Sequence, residues 1–249
     1  MAKIEVLLPG FPGAHDQGVF GFATCSLIRT DKLIIVDPGH FGRKPYLYEC
    51  LKARKLSPKD IDIVFLTELH WDHCMNYEMF TDARIMAPKE DWEYLAKESP
   101  LPSERFSKHL ADNLKQDGVE LVSKEEPLAR DVKIIRAVGH SPGHTALLVK
   151  TQDGLACVCG DAIHNGRVYL TEHESIITMG GRQKDADNSV RKIKKMAKII
   201  YPGHDVPFIG KGNKIEYLSH PKMIVRTFLP DGRDLNTTIG FEWAPKRGL

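Results

Sequence analysis

Glu68-Leu69-His70-Trp71-Asp72-His73 is the stretch on which the reading of this chain turns. It places four side chains with metal-binding N or O donors within six residues, directly after the β-branched and apolar run Ile61-Asp62-Ile63-Val64-Phe65-Leu66-Thr67. That run has the length and composition of a buried strand. A divalent cation needs several such donors converging at about 2 Å, and a turn leading out of a strand can aim them at one point. A polar loop with two chance histidines is the plainer alternative. Ligand-type residues recurring downstream in matching settings argue against it.

Outward from this stretch, one pattern repeats: a strand, a turn of small residues, then Asp or His. Asp37 follows Leu33 to Val36 and precedes Pro38-Gly39; Asp161 follows Leu155 to Cys159 and Gly160; His204 follows Ile199 to Tyr201 and Pro202-Gly203. His144 stands before its strand, in Gly139-His140-Ser141-Pro142-Gly143-His144-Thr145. Strand ends along one sheet edge gather side chains from distant parts of a chain, so the recurrence points to one shared site. Asp37 reads equally as a turn residue or as a partner that orients a ligand. His140 competes with His144 for a ligand role, and the threonine after His144 favours the second histidine. Cys157 and Cys159 share one strand face and read as core.

The remaining pattern predicts a strand over Lys3 to Leu8 and a hairpin of Thr24 to Ile28 with Leu33 to Val36. Helices are expected over Lys44 to Lys55, Lys89 to Glu98 and Ser189 to Lys198, and strands over Arg84 to Ala87 and Lys133 to Val138. Pocket walls are expected from Phe11 to Gly18, Ser99 to Gly118 and His164 to Arg182. The tail from Phe228 shows little periodicity and is expected to fold back over the body or to mediate pairing.

With 249 residues and 42% hydrophobic content, the chain can bury a real core, and it reads as a single domain over residues 1–249. A net charge of +2 announces no nucleic-acid or membrane-surface partner. No apolar run reaches the length of a membrane span. Five cysteines without paired-ligand spacing, and a start without a signal-peptide pattern, point to the cytoplasm.

Taken in order, these motifs resemble the metallo-β-lactamase superfamily over about Asp37 to His204. That family's central motif is His-x-His-x-Asp-His, and here Glu68 stands where the first histidine would be. Within the family the chain looks similar to metallo-β-lactamase domain-containing protein 1 and to the small N-acyl homoserine lactonases. The resemblance implies an α/β fold, a four-layer αβ/βα sandwich with metals at one edge of two packed sheets. It assigns Glu68, His70 and His144 to one metal and Asp72, His73 and His204 to the other, with Asp161 bridging. Two divalent ions are therefore expected, zinc first. The Glu68 carboxylate hardens its site and leaves iron or manganese open. The same carboxylate cancels the formal charge of two divalent ions, three carboxylates and a hydroxide, which suits an uncharged substrate.

The chemistry so implied is hydrolysis of an ester, lactone or thioester by a metal-activated hydroxide. Asp72 would orient the nucleophile. His164 takes the place of a tyrosine found in small lactonases and would assist the leaving group or oxyanion. The partner expected is a small molecule, with no membrane association; a homodimer stays open. Phosphodiester or nucleic-acid cleavage ranks second. A mononuclear iron sulfur dioxygenase and a non-catalytic metal-binding module are the remaining rivals.

Overall fold

The computed structural model describes residues 1–97, 109–220, 222–228 and 234–240. Two mixed sheets carry the fold. The first sheet uses β1 (Lys3–Leu8), β4 (Cys25–Arg29), β5 (Leu33–Val36), β6 (Ile63–Phe65), β7 (Arg84–Pro88) and β8 (Glu120–Val122), in that order. Between β1 and β4 a small ribbon pairs β2 (Ala14–His15) with β3 (Gly18–Val19). The second sheet runs from β9 (Pro127–Ala129) through β10 (Val132–Arg136), β11 (Thr145–Thr151), β12 (Gly154–Gly160), β13 (Ile199–Pro202) and β14 (Phe208–Lys211) to β15 (Lys214–Tyr217). A separate hairpin of β16 (Lys222–Phe228) and β17 (Asp234–Gly240) follows.

The layering comes from period-two alternation of strand side chains. Ile28, Ile34, Val36, Ile63 and Phe65 of the first sheet meet Val132, Ile134, Leu147, Val149 and Val158 of the second in one buried cluster between the sheets. The alternate residues face outward. Leu27, Ile35 and Val64 pack under α1 (Lys44–Lys52), α3 (Lys89–Lys97) and α4 (Leu110–Gln116) through Leu47, Leu51, Leu95, Leu110 and Leu114. Ile135, Ala146, Cys157, Cys159 and Ile200 pack under α5 (Gly166–Thr171) and α6 (Gln183–Met196) through Val168, Tyr169, Val190 and Ile193. Helix, sheet, sheet, helix is the expected four-layer order, and the two cysteines are core as read from their spacing.

Strand direction sets the position of the site. β5 runs parallel to β6, and β12 runs parallel to β13, so within each sheet the chain leaves both strands at the same edge. β11 is antiparallel to β12, which brings the residues before β11 to the edge where β12 ends. The Thr145 amide donates to the Thr67 carbonyl (3.0 Å) and the Thr24 amide to the Gly203 carbonyl (2.6 Å), which ties the two sheets together at that edge.

Some expectations needed revision. α6 begins at Gln183, six residues before the predicted start, because Ala186, Asp187, Ser189 and Val190 extend its buried face towards the N-terminus. α5, β8, β9, β14 and β15 are too short to stand out as periodic segments. The tail holds strand pairing: β16 and β17 pair over seven positions, from Lys222↔Gly240 to Phe228↔Asp234. Half of the pocket wall expected at 99–118, residues 99–108, lies outside the described residues; α4 takes up most of the other half.

Candidate metal centre

β6 ends at Phe65, and its continuation carries Glu68 and His70 to α2 (Trp71–Cys74), a single turn that presents Asp72 and His73. Beyond β5, Asp37 adopts the left-handed region (φ 51), which Asp tolerates better than most residues. Asp161 opens a short 3₁₀ turn after β12, and His204 follows β13. The small residues around them are sterically required. A Cβ on Gly203 would lie 2.0 Å from Asp161 Oδ1, and one on Gly160 would lie 2.3 Å from Thr67 Oγ1.

Two groups of donors face one another. In the first, Glu68 Oε2 stands 3.0 Å from His140 Nε2 and in close contact with His70 Nδ1. His140 Nε2 and His70 Nδ1 are themselves 3.2 Å apart. In the second, His204 Nε2 stands 3.2 Å from Asp72 Oδ2, and His73 completes the group. Asp161 lies between them: Oδ1 is 3.4 Å from His204 Nε2 and 3.5 Å from His73 Nε2, and Oδ2 is 3.7 Å from His140 Nε2. His164 adds a third group with Asp161 and His204. Its Nδ1 lies 3.0 Å from Asp161 Oδ2 and its ring stacks on that of His204, with centroids 4.2 Å apart.

The outer nitrogens of three of these histidines are engaged. His73 Nδ1 donates to Asp37 Oδ2 (2.9 Å), His140 Nδ1 to the Ile176 carbonyl (2.6 Å) and His204 Nδ1 to the Phe11 carbonyl (3.2 Å). Each bond keeps the proton on the outer nitrogen and turns the Nε2 lone pair inward, the arrangement a metal ligand needs. Asp37 also accepts from the amide (2.8 Å) and hydroxyl (2.7 Å) of Thr67, so it fixes the end of β6 together with His73.

Electrostatics without metal are those of a cluster that holds protons in place of cations. Burial pushes the Glu68 pKa up, but His140, His70 and His73 outweigh it and hold the carboxyl well below its ordinary range. Asp161 is likewise held well below, against burial, by His204, His164 and His73. Burial works against the charged form of His140, yet Glu68 beside it raises the imidazole to about 9. His73 is raised by Glu68, Asp161 and Asp37, again against burial.

The superfamily profile for metallo-β-lactamases matches residues 18–204. The chain belongs to the metallo-β-lactamase superfamily. It is 26% identical to the N-acyl homoserine lactonase AiiA of Bacillus thuringiensis subsp. kurstaki over 161 residues, a match spanning 63% of this chain and 60% of the lactonase. It is 24% identical to metallo-β-lactamase domain-containing protein 1 of Xenopus laevis over 208 residues, 83% of this chain and 81% of that one. A solved structure of an N-acyl homoserine lactone hydrolase, with the product N-hexanoyl-L-homoserine at its catalytic metal centre, superposes with a TM-score of 0.63. That pair shares 19% identity, over 82% of this chain and 93% of the other.

The residues present fit the divalent ions of a metallo-β-lactamase. Glu68 Oε1 and Oε2, His73 Nε2 and Asp161 Oδ1 are buried and make no hydrogen bond, although they point at one another. Buried charged oxygens without hydrogen bonds are costly unless a cation sits among them.

One residue expected as a ligand stands apart from the donor groups. His144 is not in either donor group; His140 takes the place facing Glu68 and His70. The reason is hydrogen bonding. His144 Nε2 accepts the Asp161 amide (3.0 Å), while its Nδ1 is buried without a hydrogen-bond partner among the described residues. Burial pushes its pKa down to about 3, and the ring stays neutral.

Two supporting residues escaped the sequence reading. Asp91, buried on α3, accepts the Ser141 hydroxyl (2.7 Å) and the Gly143 amide (2.6 Å) and so clamps the loop that carries His140. Arg43 donates to the Pro9 carbonyl (3.0 Å) and lies over Phe22, bracing the loop whose Phe11 carbonyl holds His204. Neither position carries a local signal, since an acid in a first helical turn normally reads as an N-terminal charge facing water.

The donors open into a cleft of about 850 Å³ lined by Pro12, Gly13, Ala14 and Val19 on one side and Ile176 to Gly181 on another, with Trp71 and His164 beside the ligands. Two of the three expected wall segments, 11–18 and 164–182, thus do line it. No lysine or arginine is among the described lining residues. Among the described residues, no helix is long and apolar enough to cross a membrane.

Proposed function

We propose that this chain is a dinuclear metallohydrolase acting on the uncharged carbonyl of a lactone, ester or thioester. The observation that carries the reading is a pair of donor groups, joined by Glu68 and Asp161, at the floor of a largely apolar cleft with no lysine or arginine among its described lining residues. Two divalent ions, zinc first and iron or manganese as alternatives, would be held by Glu68, His70 and His140 and by Asp72, His73 and His204, with Asp161 between. Bound there, such ions supply a nucleophilic hydroxide near neutral pH and polarise the carbonyl.

The chain's own residues do the rest. Asp72 lines the cleft, and a carboxylate oxygen there can accept a hydrogen bond and so orient an attacking water. His164 is partly buried; burial, then the neighbouring His204, lowers its pKa, which keeps it neutral near pH 7. With Nδ1 donating to Asp161, its Nε2 is left as an acceptor able to take up a proton during turnover. The apolar walls favour an acyl chain. The lactonase relatives and the lactone-hydrolase neighbour favour lactones within this class. The free thiols of all five cysteines suit a reducing, cytoplasmic setting.

The test is a turnover panel of N-acyl homoserine lactones, aryl esters, thioesters and a phosphodiester, run on protein of known metal content. Lactone or ester turnover lost on chelation and restored by metal supports the reading. Turnover of the phosphodiester alone would replace it, and metal uptake with no turnover would leave a binding module. His164→Ala at saturating metal should lower kcat and flatten the pH profile; an unchanged profile would remove His164 from the mechanism.

A further inference from the structure

We propose that Glu68 bridges the two metal ions, as a second bridging carboxylate beside Asp161, rather than replacing a histidine at one of them. The inference rests on the dinuclear reading of the cleft. Its basis is the direction of the two oxygens. Oε2 faces the first group, at 3.0 Å from His140 Nε2 and in contact with His70 Nδ1. Oε1 faces the second, at 3.2 Å from His73 Nε2. Asp161 shows the same split, Oδ1 towards His73 and His204 and Oδ2 towards His140.

An imidazole offers one inward lone pair and so can serve one ion, whereas a carboxylate offers two oxygens. Glu68 is fully buried, and neither oxygen hydrogen-bonds to the protein. A terminal ligand at the first ion would leave Oε1 buried against His73 without a partner. Bridging satisfies both oxygens. It follows that the second ion, although Glu68 lies in the motif position of the first, also depends on this residue. A centre with a bridging glutamate and a bridging aspartate is rich in hard oxygen donors, which favours manganese or iron relative to an imidazole-rich site.

The test is a competition titration of metal-stripped protein with Mn(II) and Zn(II) against a chromophoric chelator, comparing wild type, Glu68→His and Glu68→Gln. Circular dichroism and thermal melting would check that each is folded. Glu68→His should keep uptake of the first ion but weaken the second by roughly tenfold or more. Glu68→Gln should weaken both, since its amide has a single acceptor oxygen. Second-ion affinity within about twofold of wild type in Glu68→His would overturn the inference, as would Glu68→Gln binding both ions normally. A crystal structure of the metal-loaded wild type tests the same point without a variant: both Glu68 oxygens at about 2 Å from different ions support bridging, and both on one ion refute it. Wild-type protein that binds no metal would overturn the dinuclear reading itself. Two ions with Glu68 on one of them would overturn only the bridge.

Discussion

Replacing Asp37 by Asn isolates how the protein orients its histidines. Asp37 is 2% exposed and accepts three hydrogen bonds, from the Thr67 amide, the Thr67 hydroxyl and His73 Nδ1. Asn has the same shape and tolerates the left-handed backbone at φ 51, so the substitution changes hydrogen bonding and leaves the turn intact. Its oxygen can still accept the Thr67 amide, but the second position becomes an NH2 that faces the Nδ1–H of His73. Two donors then meet. The clash is relieved if His73 moves its proton to Nε2, which removes the lone pair aimed at Asp161 and Glu68. Loss of such an outer partner lowers metal affinity by roughly 10- to 100-fold, or about 1.4 to 2.8 kcal/mol. The assay is metal competition against a chromophoric chelator at fixed pH, with melting of the metal-free proteins as control. Binding of both ions within about twofold of wild type would refute the argument that Asp37 sets the His73 tautomer.

Further outcomes follow from the same geometry. His140→Gln should lose one ion per chain, whereas His144→Gln, whose side-chain oxygen can still accept the Asp161 amide, should keep two by elemental analysis. Burial raises the Asp91 carboxyl to about 7, so the folded state holds a proton there that the unfolded state releases near 4. This group's contribution is therefore greatest below about pH 4 and is lost as pH rises to about 7, at on the order of 1.4 kcal/mol per pH unit. Asp91→Asn can still accept Gly143 and donate to Ser141, and should flatten that stretch of a denaturant-measured stability profile and be the more stable protein at pH 8. Gly203→Ala places a methyl 2.0 Å from Asp161 Oδ1 and 2.9 Å from the Gly160 backbone, and should cost roughly 1 to 3 kcal/mol along with metal uptake; a wild-type melting temperature and metal content would contradict the packing described.

Much of this protein is legible in one dimension. The alternation in Leu27-Ile28 and Ile34-Ile35-Val36 predicts strands with two buried faces, and both faces are covered. The Glu68 to His73 cluster, Asp161 and His204 mark ends of strands, and those ends do lie at one edge because the strands of each pair run parallel. Such signals survive because periodicity and turn chemistry are local properties of neighbouring residues. What escaped is non-local. His140 and His144 sit in near-identical Gly-His contexts, and only the fold brings the Asp161 amide, 17 residues away, onto Nε2 of the second. The two directions taken by the Glu68 oxygens depend on His73 in its own turn and on His140, far along the chain. Local sequence signals specify which residue types and strand ends come together. Which lone pairs remain free to bind was decided by the tertiary structure, since a nitrogen or carboxylate oxygen becomes a ligand or a scaffold acceptor according to the hydrogen bonds that packing imposes on it.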